Sequence, residues 1–259
     1  MTIIIAIILG LVQGLCEFLP ISSSGHLLIF ESLFNINQNN EFFNILLHLA
    51  TLLSVVLIYR KKIAEILFGK EKRVILLLIL SMIPTCLVVV LIKALASEMF
   101  TASFLGFGFL FSATIIFVGV MFNKRKINNS NSLAKIKKGS ALTIGFLQGF
   151  ACLPGISRSA TTVNTALILG IEKESALDYS FILSIPVILA SLVYEIISLD
   201  FTLPQIDFLP ALVGAIVAFV SSLFSINLIR NIIKNKSWIG FGIYLTLLSI
   251  AIIIFTFIF

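Results

Sequence analysis

Two short polar stretches hold the residue types that could do chemistry: "QGLCEFLPISSSGH" at 13–26 and "PGISRSATT" at 154–162. Glu17 offers a carboxylate, with Ser23 and His26 close behind it in sequence. A hydroxyl beside an acid and an imidazole is a nucleophile with candidate proton acceptors. Arg158 is permanently charged and presents five donors, which suits a two-pronged grip on phosphate. Ser22, Ser23, Ser24 and Gly25 follow Pro20 and read as the start of a helix, where serine caps and free N–H groups form an anion site. Ser157, Ser159, Thr161 and Thr162 surround Arg158 in the same manner. Gln13 is four residues ahead of Glu17, so the two share a helix face. In a tight hairpin His26 lies about a turn from Glu17. These residue types point to phosphoryl transfer, or to binding of a phosphorylated ligand.

The surroundings of these stretches are apolar. The chain has 259 residues, of which 59% are hydrophobic, and a mean hydropathy of +1.14. Soluble domains hold roughly 45–50% apolar residues, so the excess indicates an integral membrane protein. A carboxylate such as Glu17 at membrane depth is expensive enough to need a partner or a function. No basic region or small-residue cleavage site marks the start, which argues against a cleaved signal peptide. The net charge of +6 does not imply nucleic acid. Six basic residues fall in 60–73, six in 123–138 and three in 230–237. These clusters separate apolar runs and read as cytoplasmic loops.

Six runs, about 42–59, 74–95, 103–122, 178–198, 208–229 and 238–259, predict transmembrane helices. The intervening connections 35–41, 96–102 and 199–207 lack Lys and Arg and carry Glu41, Glu98, Asp200 and Asp207. That alternation puts the C-terminus outside. The regions 2–34 and 140–170 are each interrupted by Pro, Gly and Ser. Irregular backbone at membrane depth survives only within protein or beside water. Both are therefore read as re-entrant helical hairpins, the first entering from outside and the second from inside. At an offset of 135, Gly10, Gln13, Gly14, Ser22 and Ser24 match Gly145, Gln148, Gly149, Ser157 and Ser159. Three spans follow each hairpin, so the second copy is inverted, an arrangement in which two broken helices meet near the midplane. The expected fold is an all-α integral membrane protein, a single domain over 1–259. Its halves, about 1–122 and 139–259, are joined by a basic cytoplasmic loop, 123–138.

Other polar residues read as less informative. His48 is expected to be a packed helix residue, while Lys93 and Glu195 snorkel from span ends. Glu172, Lys173, Glu174 and Asp178 are expected in solvent at the inner face. Tyr59, Trp238 and Tyr244 read as interfacial anchors. Cys16, Cys86 and Cys152 sit in apolar segments and read as small hydrophobes. Gly10 and Gly14 form a small face for close helix packing.

Taken together, "QGLCEFLPISSSGH" and "PGISRSATT" resemble the undecaprenyl-diphosphate phosphatase family, the bacitracin-resistance membrane phosphatases, over essentially the whole chain. The resemblance implies removal of the terminal phosphate of undecaprenyl diphosphate, which recycles the lipid carrier for cell-wall synthesis. It places the family's acid, serine, histidine and arginine on Glu17, Ser23, His26 and Arg158, and its threonine on Thr162. Gln13, Ser22, Ser24, Gly25, Ser157 and Ser159 complete the expected substrate contacts. It further implies a divalent cation, Mg²⁺ or Ca²⁺, with Glu17 as a metal ligand, and a pocket opening to the outer face. Gln13 stands where many members have a second glutamate, which weakens the case for a two-carboxylate metal site. The partners implied are a polyprenyl diphosphate lipid and the bilayer of a bacterial cell membrane, with both termini outside; homodimerisation is left open. Ser23, His26 or water could be the nucleophile, and the residues favour Ser23 assisted by His26 and Glu17. The rival reading is a transporter or flippase for polyprenyl phosphates, because inverted repeats with broken helices are also a transporter design.

Overall fold

Apolar runs without a partner strand must satisfy their own backbone in lipid, and the helix is the local way to do so. A computed structural model describes residues 1–36, 41–69, 71–122, 133–198, 207–235 and 238–258. Among them all regular structure is helical. The helices are α1 (Ile3–Cys16), α2 (Ser23–Leu33), α3 (Glu41–Phe68), α4 (Arg73–Leu95), α5 (Leu105–Phe122), α6 (Lys138–Gly149), α7 (Arg158–Ile168), α8 (Lys173–Ser198), α9 (Phe208–Asn235) and α10 (Ile239–Ile258). Six of them, α3, α4, α5, α8, α9 and α10, are long and apolar enough to cross a membrane. The pairs α1–α2 and α6–α7 are too short to do so singly, and a turn holding a proline or glycine breaks each pair. Most of the predicted basic loop, residues 123–132, lies outside the described residues, as do Asp200 in the 199–206 connection and residues 236–237.

Two of the expected inner loops are partly helix. Helix α3 continues through Arg60, Lys61 and Lys62 to Phe68, and α9 continues through Arg230. Long basic side chains keep their aliphatic stems on the helix and their charges at its end, so a basic cluster need not end a span.

Packing pairs elements from the two halves. Helix α1 runs along α9, α6 runs along α4, and α5 lies against α10. Small residues allow the close approaches. A Cβ on Gly14 would overlap Ser221 and the Ala218 carbonyl of α9, and one on Gly145 would overlap the Ser81 carbonyl of α4, as expected where backbones must touch. The second arms differ. Helix α7 is enclosed by α5, α6 and α8, and every residue from Ser159 to Leu167 is buried. Helix α2 leans mainly on α1, and only Gly25, His26 and Leu27 are buried in it.

Several residues read as peripheral are interior. Asp178 does not stand free in solvent; it accepts from Tyr59 Oη at 2.8 Å, Lys62 Nζ at 2.5 Å and Arg230 Nη2 at 3.4 Å. Tyr59 is buried under that cluster, with Arg230 over its ring, so it is not an interfacial anchor. Trp238 is also buried, and its Nε1 donates to Asn164 Oδ1 at 3.0 Å. In each case the ring's polar tip found a partner inside the bundle, which an amphipathic aromatic will prefer to the interface when one is in reach. Lys93 lies over the Tyr194 ring at 3.4 Å.

Candidate active site

The two turns meet at their tips. Ser159 Oγ donates to the Leu19 carbonyl at 3.0 Å, and Arg158 Nη2 donates to Glu17 Oε1 at 2.5 Å. Each turn is held locally. In the second, Gly155 has φ +82°, a left-handed conformation natural only to glycine. Ser112 of α5 donates to the Gly155 carbonyl at 3.0 Å and accepts from Ser157 N at 2.8 Å. Ser157 then caps α7, accepting from Ala160 N at 3.2 Å. Arg158 is thus the first residue of α7 and Ser23 the first residue of α2. Both sit where helix N–H groups and the positive dipole end face outward.

In the first turn Ser22 has φ 68° and ψ 98°, which is strained for a residue with a Cβ. Two contacts fasten it. His26 Nδ1 lies 2.8 Å from the Ser22 carbonyl, and His26 Nε2 lies 2.6 Å from Tyr244 Oη. A carbonyl only accepts, so Nδ1 carries the proton; in a neutral ring Nε2 then accepts from the tyrosine. The ring also stacks on Tyr244 and meets Phe109 edge-on. Both ring nitrogens of His26 are therefore engaged by Ser22 and Tyr244, not by Glu17. Tyr244, read as an interfacial anchor, is its partner.

Glu17 is the centre of the cluster, with its side chain 6% exposed. Its Oε1 takes Arg158, and its Oε2 accepts from Ser23 Oγ at 2.6 Å and from Gln13 Nε2 at 3.1 Å. The last neighbour is His48, set aside in the sequence as a packed helix residue. Its Nδ1 is 3.0 Å from Gln13 Nε2 and 3.8 Å from Glu17 Oε2. A histidine on a membrane span is itself a signal; the chain has two histidines, and only this one stands on such a helix.

The other expected contacts divide in two. Ser24 is exposed at the mouth of the turn, and its Oγ is 3.4 Å from Ser22 Oγ. Gly25 N donates to Ser22 Oγ at 3.4 Å. Thr162 is engaged elsewhere, donating to the Arg158 carbonyl at 2.9 Å with Ser180 Oγ at 2.6 Å. Ser157 and Ser159 are buried and bonded to each other and to the turns. These residues shape the site's walls.

Among the described residues, two buried polar atoms of this site have no hydrogen-bond partner: Arg158 Nη1 and Gln13 Oε1. A buried charged donor left unpaired is costly, so Arg158 is half satisfied, with one nitrogen on Glu17 and one ready for an anion. The donor set speaks less strongly for a resident metal. Among the described residues no three His, Cys, Asp or Glu side chains cluster to hold one. One carboxylate and one free amide oxygen do fit a hard cation that arrives already bound to phosphate oxygens.

Comparison with known proteins agrees with the geometry. A family model described as "Bacitracin resistance protein BacA" matches residues 6–251. An undecaprenyl-diphosphatase of Carboxydothermus hydrogenoformans is 36% identical over 253 residues, covering 96% of this chain and 95% of its own length. One of Methanococcus vannielii is 37% identical over 255 residues, covering 96% of this chain and 98% of its own. One of Halothermothrix orenii is 35% identical over 259 residues, covering 98% of each.

Proposed function

The chain belongs to the bacitracin resistance protein BacA family, and from that premise we propose that it dephosphorylates undecaprenyl diphosphate with Ser23, Glu17 and Arg158. It is a membrane-embedded hydrolase of a lipid diphosphate. The observation that supports the assignment of residues is the half-satisfied guanidinium. Arg158 Nη1 is buried without a partner beside a serine whose hydroxyl already points at a carboxylate. A flippase needs the anion clamp, but has no use for a serine primed by an acid.

The distances support the following mechanism. Arg158 Nη1 and the first N–H groups of α2 and α7 hold the terminal phosphate and offset charge as it develops in transfer. Ser23 Oγ attacks the terminal phosphorus. A new P–O bond forms, and the bond to the prenyl monophosphate breaks. Glu17 accepts the hydroxyl proton across 2.6 Å and passes it to the departing phosphate. The restored carboxylate then deprotonates the water that attacks the phosphoserine, and Ser23 leaves as the hydroxyl with that proton. His26 holds Ser22 and so aims Ser23, without reaching the phosphorus. A divalent cation, Mg²⁺ or Ca²⁺, would be held by Glu17 and Gln13 together with the substrate, and would lower the charge of the diphosphate oxygens when bound.

The substrate's long chain has an apolar groove beside the first turn, about 630 Å³ in volume and lined by Ile21, Leu228, Ile232, Phe241 and Tyr244. The orientation we propose puts the Asp178 end of the bundle, where Lys62 and Arg230 gather, in the cytoplasm. Met1 and Asp207, whose charges lie 3.5 Å apart, are then outside. Both hairpins would be re-entrant, and the site would open outward in the plasma membrane. The deciding experiment is phosphate release from C55 diphosphate by purified protein in detergent, with Mg²⁺ or Ca²⁺. Binding of the lipid without release of phosphate under either cation would overturn the reading.

A further inference from the structure

Gln13 lies between Glu17 and His48, and the chemistry of an amide determines how it must be turned. Its Nε2 is 3.1 Å from Glu17 Oε2 and 3.0 Å from His48 Nδ1. An amide nitrogen donates two hydrogens and accepts none. One hydrogen therefore goes to the carboxylate and the other to the imidazole. His48 Nδ1 must be a bare acceptor, with the ring's proton on Nε2. Reversing the amide would set Oε1 against the carboxylate, two acceptors with no proton between them, and lose the bond to Glu17 whichever ring nitrogen of His48 carries the proton. The side chain is fully buried, so it has no solvent to turn towards. In this orientation Oε1 is left without a partner of its own.

His48 belongs to α3, an element outside both hairpins. Glu17 Oε2 takes Gln13 on one side and Ser23 on the other. The rotation of the carboxylate thus depends on the amide, and the amide depends on the imidazole. We propose that His48 is a positioning residue for the hydrolysis: its unprotonated Nδ1 fixes the Gln13 amide, which holds Glu17 Oε2 against the Ser23 hydroxyl. His48 makes no hydrogen bond to Ser23 or Glu17; its Nδ1 stands 3.8 Å from Glu17 Oε2, and it acts through Gln13. This proposal rests on the reading of Ser23 and Glu17 as the reacting pair.

The test uses an isosteric pair on the full-length protein. Asparagine places Oδ1 where Nδ1 stood, so His48→Asn keeps an acceptor for Gln13. His48→Leu keeps the branch and removes the acceptor. Both are assayed for kcat and KM with C55 diphosphate, and for thermal unfolding in detergent. His48→Leu is expected to lower kcat roughly 10- to 100-fold, the range for members of one hydrogen-bond network. KM should stay within about twofold, since uniform binding is untouched. His48→Asn should recover most of kcat at equal thermal stability. In a double-mutant cycle, His48→Leu should have little further effect once Gln13→Leu is present. Equal losses in the Asn and Leu variants, or effects of Gln13→Leu and His48→Leu that multiply independently, would overturn the proposal. The underlying assignment has its own readout. Full activity in Ser23→Ala would overturn the reacting pair, and the Gln13–His48 cycle would still report whether the two residues couple.

Discussion

Replacing Arg158 separates two tasks that one side chain performs. The Arg158 and Glu17 side chains are 12% and 6% exposed, and Nη2 sits 2.5 Å from Oε1. In Arg158→Ala the carboxylate keeps Ser23 and Gln13 as donors, but loses its counter-charge. Breaking a buried pair from one side costs about 3–5 kcal/mol. The substrate also loses Nη1. A single preorganised donor is worth about 2.7–4 kcal/mol, or a factor of about 10² to 10³ in kcat, and an arginine on a transferring phosphoryl group about 10³ to 10⁵. We therefore expect phosphate release to fall at least about 1,000-fold, with a clear drop in the unfolding temperature in detergent. Arg158→Lys distinguishes the two causes. Its ammonium can sit near Glu17, so the charge pair and most of the stability remain. A point charge cannot serve carboxylate and phosphate at once, as a fork does, so turnover should still fall about 100-fold. The assay is inorganic phosphate released from C55 diphosphate, alongside thermal unfolding of each variant. A lysine variant within about threefold of wild type would refute the argument that a two-pronged grip is required. Wild-type turnover in the alanine variant would remove Arg158 from phosphate binding altogether.

Ser23→Ala should abolish multiple turnover, and wild-type protein quenched during turnover should carry phosphate on Ser23; peptide mass spectrometry checks this, and a phosphate-free Ser23 would favour direct attack by water. Tyr244→Phe removes the hydroxyl 2.6 Å from His26 Nε2 and leaves an imidazole acceptor bare, so kcat should fall about 3- to 10-fold through a looser Ser22 turn, consistent with a lost bond of about 0.5–1.5 kcal/mol. Measuring KM as well should show little change, and an unaltered kcat would detach Tyr244 from the site. Gly145→Ala drives a methyl into the Ser81 carbonyl. Backbone there cannot yield as a side chain can, so a loss of about 1–3 kcal/mol or more is expected, read as a lowered unfolding temperature.

How much of this was legible follows from where each constraint resides. The long helices were readable because their apolar content is local. Their basic ends were not, because Arg60 to Lys62 look like a loop until their stems are laid along α3. The contact between the turns was anticipated from the inverted repeat of the two broken regions, whereas the direct Glu17–Arg158 pair was not what the residues favoured. The direction of His26 was hidden, since it follows from the φ of 68° at Ser22, and no residue type prescribes that angle. His48 was hidden for another reason. Its partner Gln13 comes from α1, 35 residues away in sequence, so the isolated histidine on a span signals a role but not the partner it serves. Tyr59 and Trp238 were misjudged, and the inward bond of the exposed Tyr244 was missed, because an aromatic near a span end can face the interface or a buried partner with the same sequence. Only the partners Asp178, Asn164 and His26 decide between the two.

The matched positions explain why the site needs both halves. At the offset of 135, Ser22 and Ser157 are both caps, and Ser23 and Arg158 are both first residues of their helices. The backbone device is the same twice, a capped helix start aimed at the other turn. The side chains on it have diverged. The acid Glu17 stands opposite Cys152 in the alignment, and the nucleophile Ser23 opposite Arg158. In the proposed mechanism one turn carries the groups that make and move a bond, and the other carries the charge that holds the phosphate. Neither is competent alone: Glu17 without Arg158 is a buried, uncompensated carboxylate, and Arg158 without Glu17 has both nitrogens to satisfy. Diphosphate bound as proposed would resolve the remaining imbalance, because it would supply the acceptor that Nη1 lacks without displacing Glu17 from Nη2. An uncharged ligand would leave that donor bare, so the same geometry that builds the site also selects an anionic headgroup.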